Sequence, residues 1–200
     1  MRKAIQHLKR NDPVMAEIIA RAGPYTIQYR EPTFQTLVRS IVYQQLSGKA
    51  ALTIFNRLLA ATGGPLTPAS ILKLRPARMR SLGLSKQKLT YIRVLARLTR
   101  DGEVSFDRLP ELDDAAIIEH LTRVKGVGVW TVHMFLIFAL RRPNVLPTGD
   151  LGVRAAIKKS YGLDALPKPA EMERIAQAWH PYCSVAAWYL WRSLENQGAM

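Results

Sequence analysis

Two glycines placed two residues apart, Gly126 and Gly128, interrupt an apolar segment that otherwise favours helix. A glycine inside a helix costs about 1 kcal/mol relative to alanine, so a continuous helix through this point is disfavoured. Glycine also tolerates positive φ and lets another backbone approach closely. The segment 121–135 therefore predicts a helix, a tight turn pinned by an inward-pointing Val127, and a second helix that begins near Gly128 or Val129.

The rest of the chain shows the apolar spacing of three and four that is typical of helices with one buried face. Phe34, Leu37, Val38 and Ile41 follow this spacing, and no segment alternates convincingly with a period of two. The sequence therefore predicts an all-α fold. The predicted helices include a short one that closes near Pro76, and later ones at Leu151–Tyr161, Ala170–Trp179 and Ser184–Glu195.

The charge balance is strongly basic, with 29 Lys and Arg against 15 Asp and Glu, a net charge of +14. Such an excess favours a polyanionic partner: DNA, RNA or an anionic membrane. The alternative is a basic protein with no such partner.

Cysteine content and hydropathy restrict the class of protein further. The single cysteine, Cys183, excludes a disulfide within the chain and an iron–sulfur cluster held by four cysteines. The longest apolar run, Met134–Leu140, is too short to span a bilayer, and the N-terminal residues lack the apolar core of a signal peptide. We expect a soluble intracellular protein without a membrane partner.

The predicted turn has the features of a phosphate-binding site. The first N–H groups of the helix after Gly128 lack intrahelical partners and carry the positive end of the helix dipole. Anions bind at such termini, and Lys125 adds a positive charge beside this one. The alternative is an ordinary helix–helix connection with glycine at the cap. The basic charge of the chain favours phosphate binding.

Two sequence blocks resemble a known family in both order and separation. VKGVGVWT, residues 124–131, resembles the hairpin of helix–hairpin–helix DNA glycosylases, and LPTGDLGVR, residues 146–154, matches the loop that bears their catalytic aspartate. Phe34–Ala51 resembles the early helix and DNA-probing turn of that family, and Leu82–Lys88 resembles a further DNA-facing loop. Trp179–Trp191 resembles the C-terminal helix of DNA-3-methyladenine glycosylase II.

This resemblance implies an architecture of two helical lobes around a DNA-binding cleft. Residues 31–145 would form a helical barrel that holds the helix–hairpin–helix motif, and residues 1–30 with 146–200 would form a second lobe built from both termini. The larger methyladenine glycosylases carry an additional N-terminal β domain, so the chain resembles a minimal form. We expect it to be a monomer, located in the bacterial cytoplasm at the nucleoid, or in the nucleus of a eukaryote.

Asp150 is the candidate catalytic residue. It stands in a Pro–Thr–Gly–Asp loop where a helix is predicted to begin, so it is also a good N-cap. Hydrolysis of a glycosidic bond develops oxocarbenium character on the sugar, and a fixed carboxylate can stabilise that charge and orient water. The two roles are compatible, because a cap aspartate is rigidly held.

Trp130 occupies the position where bifunctional relatives carry a lysine nucleophile. Lysine would form a Schiff base and permit strand cleavage, which tryptophan cannot do, so the implied enzyme is monofunctional. An indole also attracts a cationic alkylated base. The alternative is that Trp130 belongs to the core. By resemblance, the base pocket includes Trp130, Tyr182, Trp179 and Tyr43, whereas the helical spacing of Trp188 and Trp191 predicts core positions.

An extruded base leaves a gap in the duplex that a side chain must fill. Gln44, Gln45 and Leu46 are the candidates, with ordinary helix surface as the alternative.

Relatives often hold a monovalent cation on hairpin carbonyls, here those of Thr122, Val124 and Val127, and no other cofactor is expected. The predicted DNA contacts are Lys125, Gly126, Val127, Gly128, Gln44, Gln45, Leu46, Ser85, Lys86 and Lys88.

The sequence thus predicts a DNA-3-methyladenine glycosylase of type II that removes alkylated bases, such as 3-methyladenine and 7-methylguanine, from double-stranded DNA. Three alternatives stay open: a glycosylase of the same fold for oxidised or mismatched bases, a non-catalytic helix–hairpin–helix DNA-binding module, and a basic protein that binds RNA or the ribosome. Absence of lysine at position 130 argues against bifunctional glycosylases, and the single cysteine argues against cluster-bearing ones.

Overall fold

The computed structural model describes residues 1–195 and confirms the all-α prediction. Within this range the chain forms twelve α-helices, one 3₁₀ turn at Leu109–Glu111 and no strand. None of the helices in the described range is long and apolar enough to cross a membrane. The helices are α1 (Arg2–Asn11), α2 (Pro13–Ala22), α3 (Phe34–Tyr43), α4 (Gly48–Thr62), α5 (Pro68–Lys73), α6 (Pro76–Ser81), α7 (Lys86–Arg100), α8 (Asp114–Thr122), α9 (Val129–Phe138), α10 (Leu151–Ser160), α11 (Pro169–Ala176) and α12 (Cys183–Glu195).

The chain divides into two compact units. The first unit comprises Met1–Tyr29 and Leu136–Met200, of which the structure describes residues up to 195, and the second comprises Arg30–Phe135. The first unit therefore combines segments from both ends of the sequence. Helix α9 begins in the second unit and ends in the first.

In the first unit, α2 packs against α1 and α12, and α10 packs against α12. The buried core includes a carboxylate, Asp12, which caps α2 by accepting the N–H of Met15 at 3.0 Å. The other oxygen of Asp12 accepts the Tyr161 hydroxyl and, at 2.7 Å, the indole N–H of Trp179. The buried charge is thus satisfied by three donors, as a carboxylate removed from water requires. Burial and the Asp12 carboxylate both raise the pKa of Tyr161.

In the second unit, α7 packs against α3, α5 and α6, and α3 also packs against α4. The sequence marks the helix starts clearly, because short polar side chains accept the N–H three residues on, which satisfies one of the unpaired donors of the first turn. The residues that do so are Thr33 for α3, Ser47 for α4, Thr67 for α5, Ser85 for α7 and Asp113 for α8.

Candidate active site and DNA-binding elements

The double-glycine segment forms the predicted helix, turn and helix. Helix α8 ends at Thr122, and the N–H of Val127 then donates to the Val124 carbonyl at 2.9 Å. Val127 is buried, as predicted, so its side chain fixes the turn to the core. The Gly128 carbonyl accepts the N–H of Val132 at 3.1 Å, which is the first bond of α9. Gly128 therefore stands at the N-cap of α9.

The two glycines serve different purposes. Gly126 has φ +88°, and a Cβ placed there would lie 2.1 Å from Cδ2 of the Tyr91 ring. The fold therefore requires glycine at position 126 for its backbone conformation and for space. A Cβ on Gly128 would meet no atom within 4 Å. Packing within the protein thus leaves the Gly128 position open to a ligand that approaches the backbone.

The surface around the start of α9 is exposed. Lys125 and Gly128 lie on it, and the side chains of Val129 and Trp130 are 49% and 42% exposed. Trp130 is therefore a surface residue, and the alternative that it belongs to the core is wrong. This surface combines the exposed side chains of Val129 and Trp130 with the Lys125 cation and the N-terminus of α9. It is suited to bind a DNA phosphate and a nucleobase.

Gln44 has a different role from the one predicted. Its amide donates to the Gly126 carbonyl at 2.9 Å and to the Thr131 hydroxyl at 3.2 Å, so it ties the end of α3 to the hairpin. A side chain held in this way is not available to enter a duplex. Gln45 and Leu46 are the exposed residues of the turn: Gln45 has φ +54°, and Leu46 is 40% exposed. These two remain the candidates for the wedge.

Lys88 is also used inside the fold. Its ammonium donates to the Val42 carbonyl at 2.7 Å and to the Gln44 carbonyl at 2.5 Å, at the C-terminal end of α3. Burial lowers the pKa of Lys88. The ammonium has a third N–H donor, so the predicted phosphate contact of Lys88 stays a prediction. Ser85 caps α7, and Lys86 is exposed, so these two residues can still face an external anion.

Asp150 is the N-cap of α10. Its Oδ1 accepts the N–H of Val153 at 2.8 Å and the indole N–H of Trp191, also at 2.8 Å. The residue is only 8% exposed. One oxygen of the carboxylate is thus fixed by a backbone donor and a side-chain donor in a largely buried position. Both the cap role and a catalytic role are compatible with this geometry.

The Trp191 indole reaches Asp150 because Gly152, in the first turn of α10, has no side chain between them. A Cβ on Gly152 would lie 3.1 Å from Asp150 Oδ1 and 3.1 Å from Cδ1 of Trp191. The Trp191 ring also stacks on Phe138, with centroids 5.6 Å apart and 23° between the planes. Trp188 is buried as predicted, and Trp191 is partly buried and packs against the same core, where its indole also donates to the Asp150 carboxylate.

The predicted base-pocket residues lie in different environments. Trp179 is fully buried and donates to Asp12, which argues against its predicted contact with an extruded base. Tyr182 is partly exposed, packs edge-to-face with the His7 ring at 5.3 Å between centroids, and lines a cavity of about 140 Å³ in the first unit. Tyr43, in the second unit, carries the Arg39 guanidinium 3.8 Å from its ring centroid. Burial, and secondarily the charge of Arg30, lowers the pKa of Arg39.

Comparison with known proteins identifies the family. Residues 38–181 match the HhH-GPD superfamily of base excision DNA repair proteins. The chain belongs to this superfamily. DNA-3-methyladenine glycosylase 1 of Schizosaccharomyces pombe is 32% identical over 96% of this chain and 86% of its own length. The Bacillus subtilis protein YfjP is 33% identical over 86% of this chain, and the matched region covers 62% of the length of YfjP.

Solved structures agree with this assignment. The crystal structure of DNA-3-methyladenine glycosidase from Bacillus halodurans has a TM-score of 0.87 and 34% identity, and the match covers 98% of this chain and 90% of that one. The Schizosaccharomyces pombe 3-methyladenine DNA glycosylase Mag1, in complex with abasic DNA, has a TM-score of 0.81 and 32% identity, with 94% and 95% covered.

Residues 1–195 of this HhH-GPD protein contain no cluster of three or more His, Cys, Asp or Glu side chains that could hold a metal ion. The predicted cation ligands are backbone carbonyls instead. Of these, the Val124 carbonyl already accepts the N–H of Val127, and a carbonyl oxygen has a second lone pair. The Val124 carbonyl therefore keeps the capacity to accept a further ligand.

Proposed function

We propose that this HhH-GPD protein is a monofunctional DNA glycosylase that removes alkylated bases from double-stranded DNA. The observation that carries the proposal is the buried Asp150 carboxylate, fixed by the Val153 N–H and the Trp191 indole. Relatives about one-third identical over most of their length support it, because they are DNA-3-methyladenine glycosylases.

The proposed reaction is hydrolysis of the N-glycosidic bond. The bond between C1′ of the sugar and the base nitrogen breaks, and its electron pair leaves with the base. A cationic base such as 3-methyladenine thereby departs as a neutral molecule. The sugar develops oxocarbenium character, which the Asp150 carboxylate stabilises while water adds to C1′ and loses one proton to the solvent. The products are the free base and an abasic site.

Trp130 supports the monofunctional assignment. An amine at that position would attack C1′ and lead to strand cleavage, but an indole has no nucleophilic nitrogen for that step. The Trp130 ring is 42% exposed, so its face can receive an extruded base. A cationic base is attracted to the negative face of the indole. This favours alkylated purines over neutral oxidised bases as substrates.

We propose that the hairpin binds the DNA backbone. The N–H groups at the start of α9 provide hydrogen-bond donors to a phosphate, Lys125 provides charge, and the open position at Gly128 allows close approach. A monovalent cation on the carbonyls of Thr122, Val124 and Val127 would add positive charge at the same place. The chain would act as a monomer wherever DNA resides, in the bacterial cytoplasm or the nucleus.

Base release from alkylated duplex DNA tests the proposal. The protein should liberate free 3-methyladenine or 7-methylguanine and leave strands that break only after alkali treatment. Chromatography of the released bases and denaturing gels before and after alkali provide the two readouts. Strand breaks without alkali would contradict the monofunctional mechanism, and tight DNA binding without release of any base would favour a non-catalytic module.

Trp191→Phe tests how Asp150 is held. The phenyl ring keeps an aromatic surface for Phe138 but removes the N–H that donates to Asp150. A hydrogen bond to a charged group contributes about 1.5–3 kcal/mol, so single-turnover base release should slow by about tenfold or more. DNA affinity should stay unchanged. Trp188→Phe, one turn earlier on α12, is the matched control, and equal slowing in both variants would contradict a specific role of Trp191.

A further inference from the structure

The second unit contains a long segment without acidic residues. From Pro32 to Arg100 there is no Asp or Glu. Such a segment cannot neutralise its cations from within, and clustered like charges destabilise a compact state unless an external anion screens them. The basic residues of this segment are Arg39, Lys49, Arg57, Lys73, Arg75, Arg78, Arg80, Lys86, Lys88, Arg93, Arg97 and Arg100.

Five of these cations are engaged inside the protein. Arg39 lies on the Tyr43 ring, and Lys88 donates to carbonyls at the end of α3. Arg80 donates to the Leu84 carbonyl at 2.6 Å, Arg93 donates to the Leu74 carbonyl at 2.9 Å, and Arg100 pairs with Asp101 at 2.7 Å. Carbonyl oxygens or a ring thus take the place of carboxylates for four of the five, and only Arg100 has a carboxylate partner, Asp101, just outside the segment.

The other cations are exposed, and three of them lie within six residues of one another along the chain. Lys73 ends α5, Arg75 is the N-cap of α6, and Arg78 lies in the first turn of α6. We call Lys73, Arg75 and Arg78 the α5–α6 basic cluster. None of the three has an ion pair within residues 1–195.

The backbone that carries this cluster is fixed by side-chain hydrogen bonds. Arg93 caps the last turn of α5, and Arg80 closes the turn after α6 by bonding the Leu84 carbonyl. Helix α5 also packs on α7, so the exposed cations project from a packed scaffold. Cations on a fixed backbone bind phosphates with a smaller loss of conformational freedom than cations on a mobile tail.

The cluster is adjacent in sequence to Ser85 and Lys86, two of the DNA contacts predicted from the sequence. Arg78 accepts the N–H of Leu82 through its carbonyl, so it lies one turn before the loop that leads to Ser85 and Lys86. One turn of α-helix rises about 5.4 Å, and each DNA strand carries a phosphate about every 3.4 Å along the duplex axis. A duplex that contacts Lys86 would therefore present further phosphates to α6.

We propose that the α5–α6 basic cluster is a second binding surface for the phosphate backbone of duplex DNA, which contacts the DNA that flanks the damaged base. This inference rests on the proposed function for its choice of partner. The surface has no sequence preference, because phosphate contacts carry no base information. It would increase the affinity for undamaged DNA and the time that the protein spends searching along it.

The test compares wild type with the triple variant Lys73→Gln, Arg75→Gln and Arg78→Gln. Binding is measured by fluorescence anisotropy against salt concentration, on undamaged duplexes of about 12 and about 30 base pairs. The slope of log affinity against log salt should fall by about 0.9 for each phosphate that the variant no longer neutralises, so by about 2–3 on the long duplex. Wild type should bind the long duplex more tightly per site, and the variant should bind both duplexes with similar affinity per site.

Two matched variants separate a specific surface from net charge and from packing. The triple variant Arg2→Gln, Lys9→Gln and Lys168→Gln removes the same charge from exposed positions of the first unit and should leave the length dependence unchanged. The charge-conserving variant Arg75→Lys with Arg78→Lys should keep the wild-type slope. An equal loss in the Arg2, Lys9 and Lys168 variant, or an unchanged slope in the Lys73, Arg75 and Arg78 variant, would overturn the proposal.

Base release by the wild type, measured in parallel, distinguishes this inference from the proposed function. Normal base release with no change of slope in the cluster variant would overturn the DNA-flanking surface and leave the glycosylase intact. A reduced slope without any base release by the wild type would overturn the glycosylase and support the surface.

Discussion

Asp150→Asn is expected to fold and bind DNA like the wild type but to release alkylated bases about 100-fold or more slowly. Asparagine is as good an N-cap as aspartate, and its Oδ1 can accept the same N–H groups of Val153 and Trp191. The substitution therefore removes the negative charge and keeps the hydrogen bonds. Without that charge the oxocarbenium character of the sugar is not stabilised. Single-turnover base release, with DNA affinity measured alongside, checks the prediction.

The choice of asparagine matters for the interpretation. Asp150→Ala would remove the cap, at a cost of about 1 kcal/mol, and would leave the indole N–H of Trp191 without its acceptor. Loss of activity in that variant would not separate charge from structure. Base release by Asp150→Asn within a few-fold of wild type would show that the carboxylate acts only as a cap, and that the catalytic group lies elsewhere.

Helix positions could be predicted from sequence where apolar periodicity and turn residues agree. The helix after Gly128 begins at its predicted position, and the helices at 151–160 and 183–195 lie within one residue of their predicted bounds, whereas the helix predicted at Ala170–Trp179 ends earlier, at Ala176. The short helix predicted before Pro76 is confirmed as α5, but the pattern did not predict a second helix after it. Pro76 begins α6 there, because its fixed φ suits the first helical position and its missing N–H is not needed.

The candidate site was predictable only in part. Apolar periodicity identifies which face of a helix is buried, but it does not identify the residues that this face contacts. Nothing local to Trp191 indicates that its indole meets a carboxylate 41 positions earlier. The bonds from Gln44 to the hairpin and from Lys88 to the end of α3 are equally remote in sequence. Both residues are polar and lie in segments that resemble DNA-facing turns, so the sequence predicted both as DNA contacts. The sequence does offer one chemical indication: the indole N–H of a partly buried tryptophan such as Trp191 needs a hydrogen-bond acceptor.

Gly126→Ala is expected to lower the free energy of unfolding by about 2–5 kcal/mol. A non-glycine residue at positive φ costs about 1–2 kcal/mol. The added methyl group would also lie 2.1 Å from the Tyr91 ring, and forcing an extra carbon into packed surroundings costs about 1–3 kcal/mol. Urea denaturation followed by circular dichroism checks the prediction. The double variant with Tyr91→Ala removes the ring and keeps the backbone strain, so the cost of Gly126→Ala should fall to the strain alone.

Gly128→Ala separates folding from DNA binding at the same hairpin. Alanine is a poorer N-cap than glycine, but the new methyl group meets no protein atom within 4 Å, so the stability loss should stay below about 1 kcal/mol. The methyl group would instead stand where a phosphate approaches the start of α9. If one charge-assisted hydrogen bond is removed, DNA affinity should fall by about tenfold. Wild-type affinity in Gly128→Ala, or a stability loss as large as that of Gly126→Ala, would contradict the division of roles between the two glycines. The two variants together test whether Gly126 is needed for folding and Gly128 for DNA binding.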